Sequence, residues 1–156
     1  MEKSKNYTLI GVPGAGKSTW IANQLWVNDC VYISSDQLIE EEARRQGKTY
    51  NDVFKDYVNT AISLMLEQVI TARDSGKNIV WDQTSVSVKS RKKKFQMLPD
   101  YEHIAVVFAT PPRDELEQRL ASRPGKNIPW EVVNSMINNF EMPTKEEGFT
   151  EIWFAS

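Results

Sequence analysis

Apolar residues in this chain fall into short, nearly continuous runs at residues 7–12, 30–33, 78–81, 104–109 and 151–154. Longer segments of helical periodicity lie between them. Continuous apolar runs suit strands buried on both faces, as in a parallel sheet, better than half-exposed strands, which alternate. The intervening segments predict helices from 17 to about 25, over 37–45, 51–75, 89–97 and 113–122, and from 129 through 140. Gly47 and Gly76 supply helix stops, and Pro99 and Pro111-Pro112 end other elements. In the longest segment Phe54, Val58, Ile62, Met65, Val69 and Ala72 recur at helical spacing and predict the inward face. Strand–helix alternation predicts an α/β fold: a doubly wound, parallel five-stranded sheet with helices on both faces. In such a sheet a ligand sits beyond the carboxyl ends of the strands. Here those ends carry Gly11 with its glycine-rich loop, Ser34-Ser35-Asp36, Asp82-Gln83-Thr84, and Thr110.

The first of these ends has a specific chemistry. Gly11-Val12-Pro13-Gly14-Ala15-Gly16-Lys17-Ser18 is a Walker A sequence, G-x-x-x-x-G-K-[ST], between a strand and a helix. Glycines let the backbone close around a phosphate, and the N–H groups of residues 14–18 form an anion nest at a helix start. Gly11, Pro13, Gly14, Ala15, Gly16, Lys17, Ser18 and Thr19 are therefore the candidate ATP-binding residues. Lys17 is placed to reach the β- and γ-phosphates, and the Ser18 hydroxyl to hold Mg²⁺.

Other polar residues have two readings each. Asp36 suits a helix N-cap, but also a general base toward an acceptor hydroxyl. Asp82 ends its strand as a Walker B carboxylate does, to hold Mg²⁺ or its water, or else forms a turn before Thr84. Arg119 and Arg123 stand four apart, so one helical face would carry both. Arg123 abuts Pro124-Gly125, and a lid over about 119–128 would bring arginines onto the γ-phosphate. The alternative is a solvated face shared with Glu115 and Glu117. Arg91-Lys92-Lys93-Lys94 reads as a solvated face or as a contact for substrate phosphates. His103 has no partner spacing. The five tryptophans suit core or rim packing better than base stacking, though Trp130, in the lid region, could touch a base.

With 156 residues, 40% apolar and 26% charged, the chain suits one compact domain spanning 1–156. A net charge of −2 excludes a global basic field, so any polyanion contact must be local. Cys30 is the sole cysteine, which excludes an internal disulfide and a cysteine zinc site and suits a small core residue. The first residues lead into a strand with no signal-peptide core, and no stretch is long enough to span a bilayer. A cytoplasmic protein without membrane attachment is the expectation.

With these residues placed, the chain resembles the kinase domain of the phage polynucleotide kinase family, within the P-loop nucleotide and nucleoside kinases. The resemblance covers nearly the whole length. It rests on residues 11–20, Ile33-Ser34-Ser35-Asp36, Val80-Trp81-Asp82-Gln83-Thr84, Arg119-Leu120-Ala121-Ser122-Arg123, Ile128-Pro129, and Phe140-Glu141-Met142-Pro143-Thr144 with Glu147-Gly148-Phe149. It implies ATP- and Mg²⁺-dependent phosphorylation of a hydroxyl, with Asp36 as general base, Arg123 as transition-state arginine and Asp82 on the acceptor side. The implied acceptor is a nucleic acid, most naturally a polynucleotide 5′-hydroxyl. One position departs: family members tend to carry a phosphate-binding arginine three residues after the catalytic aspartate, and here that residue is Ile39. The alternatives are a kinase for a nucleotide, a nucleoside or a modified-base hydroxyl, and an NTPase switch or binding module with no acceptor.

Overall fold

A computed structural model describes residues 2–155; the two ends of the expected 1–156 domain, Met1 and Ser156, lie outside the described residues. Five strands, β1 (Lys5–Ile10), β2 (Val31–Ile33), β3 (Ile79–Asp82), β4 (Glu102–Val107) and β5 (Phe149–Phe154), form one sheet in the order β2-β3-β1-β4-β5. Every pairing is parallel, as expected from the continuous apolar runs. The helices are α1 (Lys17–Ala22), α2 (Ser35–Gln46), α3 (Tyr50–Asp74), α4 (Val88–Met97), α5 (Arg113–Ala121) and α6 (Trp130–Asn138).

Strand alternation divides the core between the two sheet faces. Ile79 and Trp81 meet Met65 and Val69 of α3, whereas Tyr7, Leu9, Val80 and Val106 meet Trp20 of α1 and Trp26. Trp20, Trp26, Trp153, Tyr7 and Phe108 interlock as tilted and edge-on aromatic pairs. The tryptophans here pack the P-loop helix onto the sheet.

Three expectations need correction. The first helix stops at Ala22 rather than near 25, and a separate 3-10 turn, Leu25–Asp29, comes after it. The inward face of α3 is Val53, Ala61, Met65, Val69 and Ala72, while Phe54 and Ile62 are exposed. The helix carries more apolar residues than one stripe needs. Ile39 and Ala43 of α2 pack on Val53 and Ala61, and this contact selects the face. Phe54 instead stacks on Tyr50, with centroids 5.6 Å apart.

The third concerns the basic run. Arg91 and Lys94 are buried, and only Lys92 and Lys93 face solvent. The Arg91 guanidinium makes a two-pronged ion pair with Glu147 (2.9 and 3.0 Å) and donates to the Ser85 carbonyl at 2.9 Å. One turn of α4 separates 91 from 94, so both point at the sheet while 92 and 93 point away. The run is neither one solvated face nor one phosphate-binding patch. His103 is also structural. Its Nε2 donates to the Leu98 carbonyl (2.9 Å) and its Nδ1 accepts from Asn6 Nδ2 (3.3 Å), which requires the neutral ring. Burial accordingly lowers its pKa.

Candidate active site

Beyond the carboxyl ends of β1, β2 and β3 lies a cleft of about 1770 Å³, lined by the Walker loop, Asp36, Asp82, Arg119 and Arg123 among others. The loop holds its shape through its glycines. Gly14 and Gly16 have φ of 85° and 99°, and a Cβ on Gly14 would stand 2.8 Å from Leu116 Cδ1. Gly11 donates its N–H to the Thr84 carbonyl at 2.9 Å, which ties the loop to the segment after β3. Among the described residues, the N–H groups of Gly16, Lys17 and Ser18 have no backbone acceptor. Pro13, Ala15, Ser18 and Thr19 complete the wall.

Lys17 folds back under the loop, its Nζ donating to the carbonyls of Gly11 (2.7 Å) and Val12 (3.1 Å). Burial lowers its pKa to about 8, and the Asp82 carboxylate opposes that shift. Asp82 shows the reciprocal effect: burial raises its carboxyl, while a hydrogen bond from the Tyr32 hydroxyl and the Lys17 charge hold it down. Tyr32 is itself pushed up by burial and by Asp82.

The two readings of Asp36 separate here. The cap of α2 is Ser34, whose Oγ accepts from the Gln37 N–H at 3.2 Å. Asp36 sits in the first turn with its carboxylate free of capping. That carboxylate accepts from the Tyr50 hydroxyl (2.7 Å) and from Lys126 Nζ (3.0 Å). Lys126 also reaches Glu40 (3.5 Å) and lies 4.5 Å from the Tyr50 ring centroid. The 122–129 loop carrying Lys126 is clasped to α3. Asn51 Nδ2 donates to the Asn127 carbonyl (3.1 Å), the Asn127 N–H donates to Asn51 Oδ1 (2.8 Å), and the Asn51 N–H donates to the Gly125 carbonyl (2.9 Å).

Arg119 and Arg123 do not share a helical face. Helix α5 ends at Ala121 with Ser122 as its cap, so Arg123 lies on the loop. Arg119 donates to the Gly14 carbonyl (2.9 Å) and pairs with Glu115 (2.6 Å), thereby bridging α5 to the Walker loop. The Arg123 side chain lines the cleft and has no hydrogen-bond or ion-pair partner among the described residues. Trp130 lies outside the cleft lining, packed with Val12, Leu116 and Val133 under the Arg113 guanidinium, so it is not placed to touch a base there. Cys30 is half-buried beside Trp26, its thiol pushed up by burial, consistent with packing.

Tyr32, Tyr50 and Lys126 line this cleft and were not singled out from the sequence, although Lys126 lies in the predicted lid. Gln83 was noted only within the strand-end run Asp82-Gln83-Thr84, and Lys94 only within the basic run. The tyrosines reach the carboxylates from other elements, which no local spacing reveals.

The fold and this loop agree with known proteins. A family model described as AAA domain (AAA_33) matches residues 7–143. The chain belongs to that AAA domain family. It is a kinase-like P-loop domain, similar at 28% identity over 97% of its length to a bifunctional polynucleotide phosphatase/kinase of Schizosaccharomyces pombe. It is also 27% identical, over 96% of its length, to a putative bifunctional polynucleotide phosphatase/kinase of Acanthamoeba polyphaga mimivirus. The AAA domain chain spans about a third of the length of these relatives (33% and 32%). Among solved structures, a putative kinase from Chloroflexus aurantiacus superposes with a TM-score of 0.71 at 17% identity, covering 99% of this chain and 86% of that one. No helix among the described residues is long and apolar enough to cross a membrane.

Proposed function

We propose that residues 1–156 act as one ATP- and Mg²⁺-dependent kinase domain, with the 119–128 region as its lid, transferring the γ-phosphoryl group to a nucleic-acid hydroxyl. A polynucleotide 5′-hydroxyl is the acceptor this reading favours, in keeping with the names of the two relatives and the resemblance to phage polynucleotide kinases. A reducing cytoplasm suits its single cysteine. The observation that carries the reading is the freedom of Asp36 from helix capping, at the end of β2, in one cleft with Lys17, Asp82, Arg119 and Arg123.

The Walker amides and Lys17 would cradle the donor phosphates. Among the described residues no cluster of three or more His, Cys, Asp or Glu stands ready to bind a metal. Ser18 and Asp82 both line the cleft, so the Ser18 hydroxyl, with donor phosphate oxygens, would hold Mg²⁺, and Asp82 would serve its water or the acceptor. When bound, the ion neutralises phosphate charge. Asp36 takes the acceptor proton as the acceptor oxygen bonds to the γ-phosphorus and the bond to the β–γ bridging oxygen breaks, releasing ADP. Arg123, unpaired in the cleft, is free to neutralise charge on the moving group.

A smaller acceptor is favoured by one observation. Ile39 is buried against α3, so α2 offers no phosphate-binding side chain at that position. The test is transfer of labelled γ-phosphate to a 5′-hydroxyl oligonucleotide, a nucleoside and a nucleotide. Asp36→Asn should cut turnover ~10²-fold or more with ATP affinity unchanged. Steady hydrolysis indifferent to every acceptor would refute the kinase reading, and an Asp36→Asn protein with undiminished transfer would refute Asp36 as its base.

A further inference from the structure

Gln83 follows Asp82 directly, at the carboxyl end of β3, and lines the same cleft. Its Oε1 accepts from the Trp81 indole N–H at 3.0 Å and from Lys94 Nζ at 3.1 Å. An indole N–H and an ammonium can only donate, so both bonds demand the amide oxygen, and the flipped amide is excluded. The partners are themselves immobilised. Trp81 and Lys94 are buried, with Nζ 4.7 Å from the centroid of the Trp81 ring. Lys94 forms no ion pair with a carboxylate among the described residues. Burying an ammonium without a counter-ion is costly, and the one hydrogen bond it makes is to this amide. The consequence is an Nε2 of fixed sense on a side chain that lines the cleft, with two N–H donors for which no described residue provides an acceptor.

We propose that Gln83 binds a hydrogen-bond-accepting oxygen of the phosphoryl acceptor through Nε2, with Trp81 and Lys94 acting as positioning residues that hold the amide in that sense. This rests on the kinase reading above and adds the chemistry by which the acceptor is selected. A phosphodiester oxygen next to the reacting hydroxyl and a carbonyl of the terminal base both meet the requirement.

The experiment is label transfer from ATP to a 5′-hydroxyl oligonucleotide by the whole chain and by Gln83→Glu. A carboxylate still accepts from Trp81 and Lys94, so the fold is kept, but the second head-group atom changes from donor to anionic acceptor. The KM for the oligonucleotide should rise roughly 10- to 100-fold, with the KM for ATP changed by less than about two-fold. A second variant, Gln83→Leu combined with Lys94→Met, removes the donors and the buried charge together and should raise the same KM.

Two acceptor analogues distinguish the sources: a methylphosphonate at the first linkage, and an abasic first nucleotide. The analogue lacking the oxygen that Gln83 reads should be penalised in the wild type and lose most of that penalty in Gln83→Glu. Unchanged oligonucleotide KM in both variants, or penalties identical in wild type and variant for both analogues, overturns the proposal and leaves the kinase reading standing. A wild-type protein that labels no acceptor refutes both.

Discussion

The Arg91–Glu147 pair allows a large effect to be worked out from the structure. Arg91 is fully buried on α4, and Glu147 reaches it from the turn before β5 with both carboxylate oxygens. Glu147→Ala would leave the guanidinium with only the Ser85 carbonyl as partner. Removing one member of a buried pair costs about 3–5 kcal/mol, because an uncompensated charge stays in the interior. For a domain of this size each kcal/mol lowers the Tm by about 2–4 °C, so the melting point should fall by roughly 6–20 °C. Replacing both partners, as Arg91→Met with Glu147→Leu, removes the charge as well as the bond and should restore much of the loss. Restoration stays partial because Glu147 also accepts from the Thr144 N–H at 3.0 Å. Lys92→Ala with Lys93→Ala, on the same helix but exposed, should stay within about 0.5 kcal/mol of the parent. Differential scanning calorimetry of the four proteins decides the matter. A Glu147→Ala protein melting within about 2 °C of the parent, or a double variant no better than the single one, would refute the account of α4.

Other consequences can be checked separately. Lys94 loses its proton near pH 8 in the folded state and near 10.5 when unfolded, owing to burial. The unfolded chain therefore binds more protons between those values, and stability rises with pH across that window by up to about 3 kcal/mol. Lys94→Met should remove that rise in denaturant titrations at pH 7.5 and 10 while the similar contribution of Lys17 remains, and an unaltered slope would contradict the assignment. Gly14→Ala meets both a positive φ and Leu116, so the protein should remain folded with binding of ATP measured by calorimetry lowered at least ten-fold; parental affinity would mean the loop tolerates a Cβ. Asn51→Ala breaks two of the bonds that clasp the 122–129 loop to α3, so tryptic cleavage after Lys126 should accelerate several-fold for a Tm loss of only a few degrees. An unchanged cleavage rate would show that the clasp does not hold the loop.

The sheet, the position of the cleft at its strand ends and the Walker loop were legible in the sequence because each is a local signal. Apolar runs with intervening helical periods leave a parallel sheet as the economical burial, and a glycine pattern between strand and helix states its own geometry. Asp36 and Asp82 could be picked out because they stand at strand ends. Their surroundings could not, since Tyr32, Tyr50 and Lys126 arrive from β2, α3 and the 122–129 loop. The same limit explains the errors. Arg91 to Lys94 look alike as a string of charges, yet the 100° step of a helix sends 91 and 94 inward and 92 and 93 outward, and only packing says which way inward lies. In α3 the excess of apolar residues left the face undecided until α2 covered Val53 and Ala61. Gln83 shows the difference most plainly. Its place after Asp82 is written in the chain, but the direction of its amide is decided by an indole two residues back and a lysine eleven residues on, brought together because strand and helix pack on the same side of the sheet.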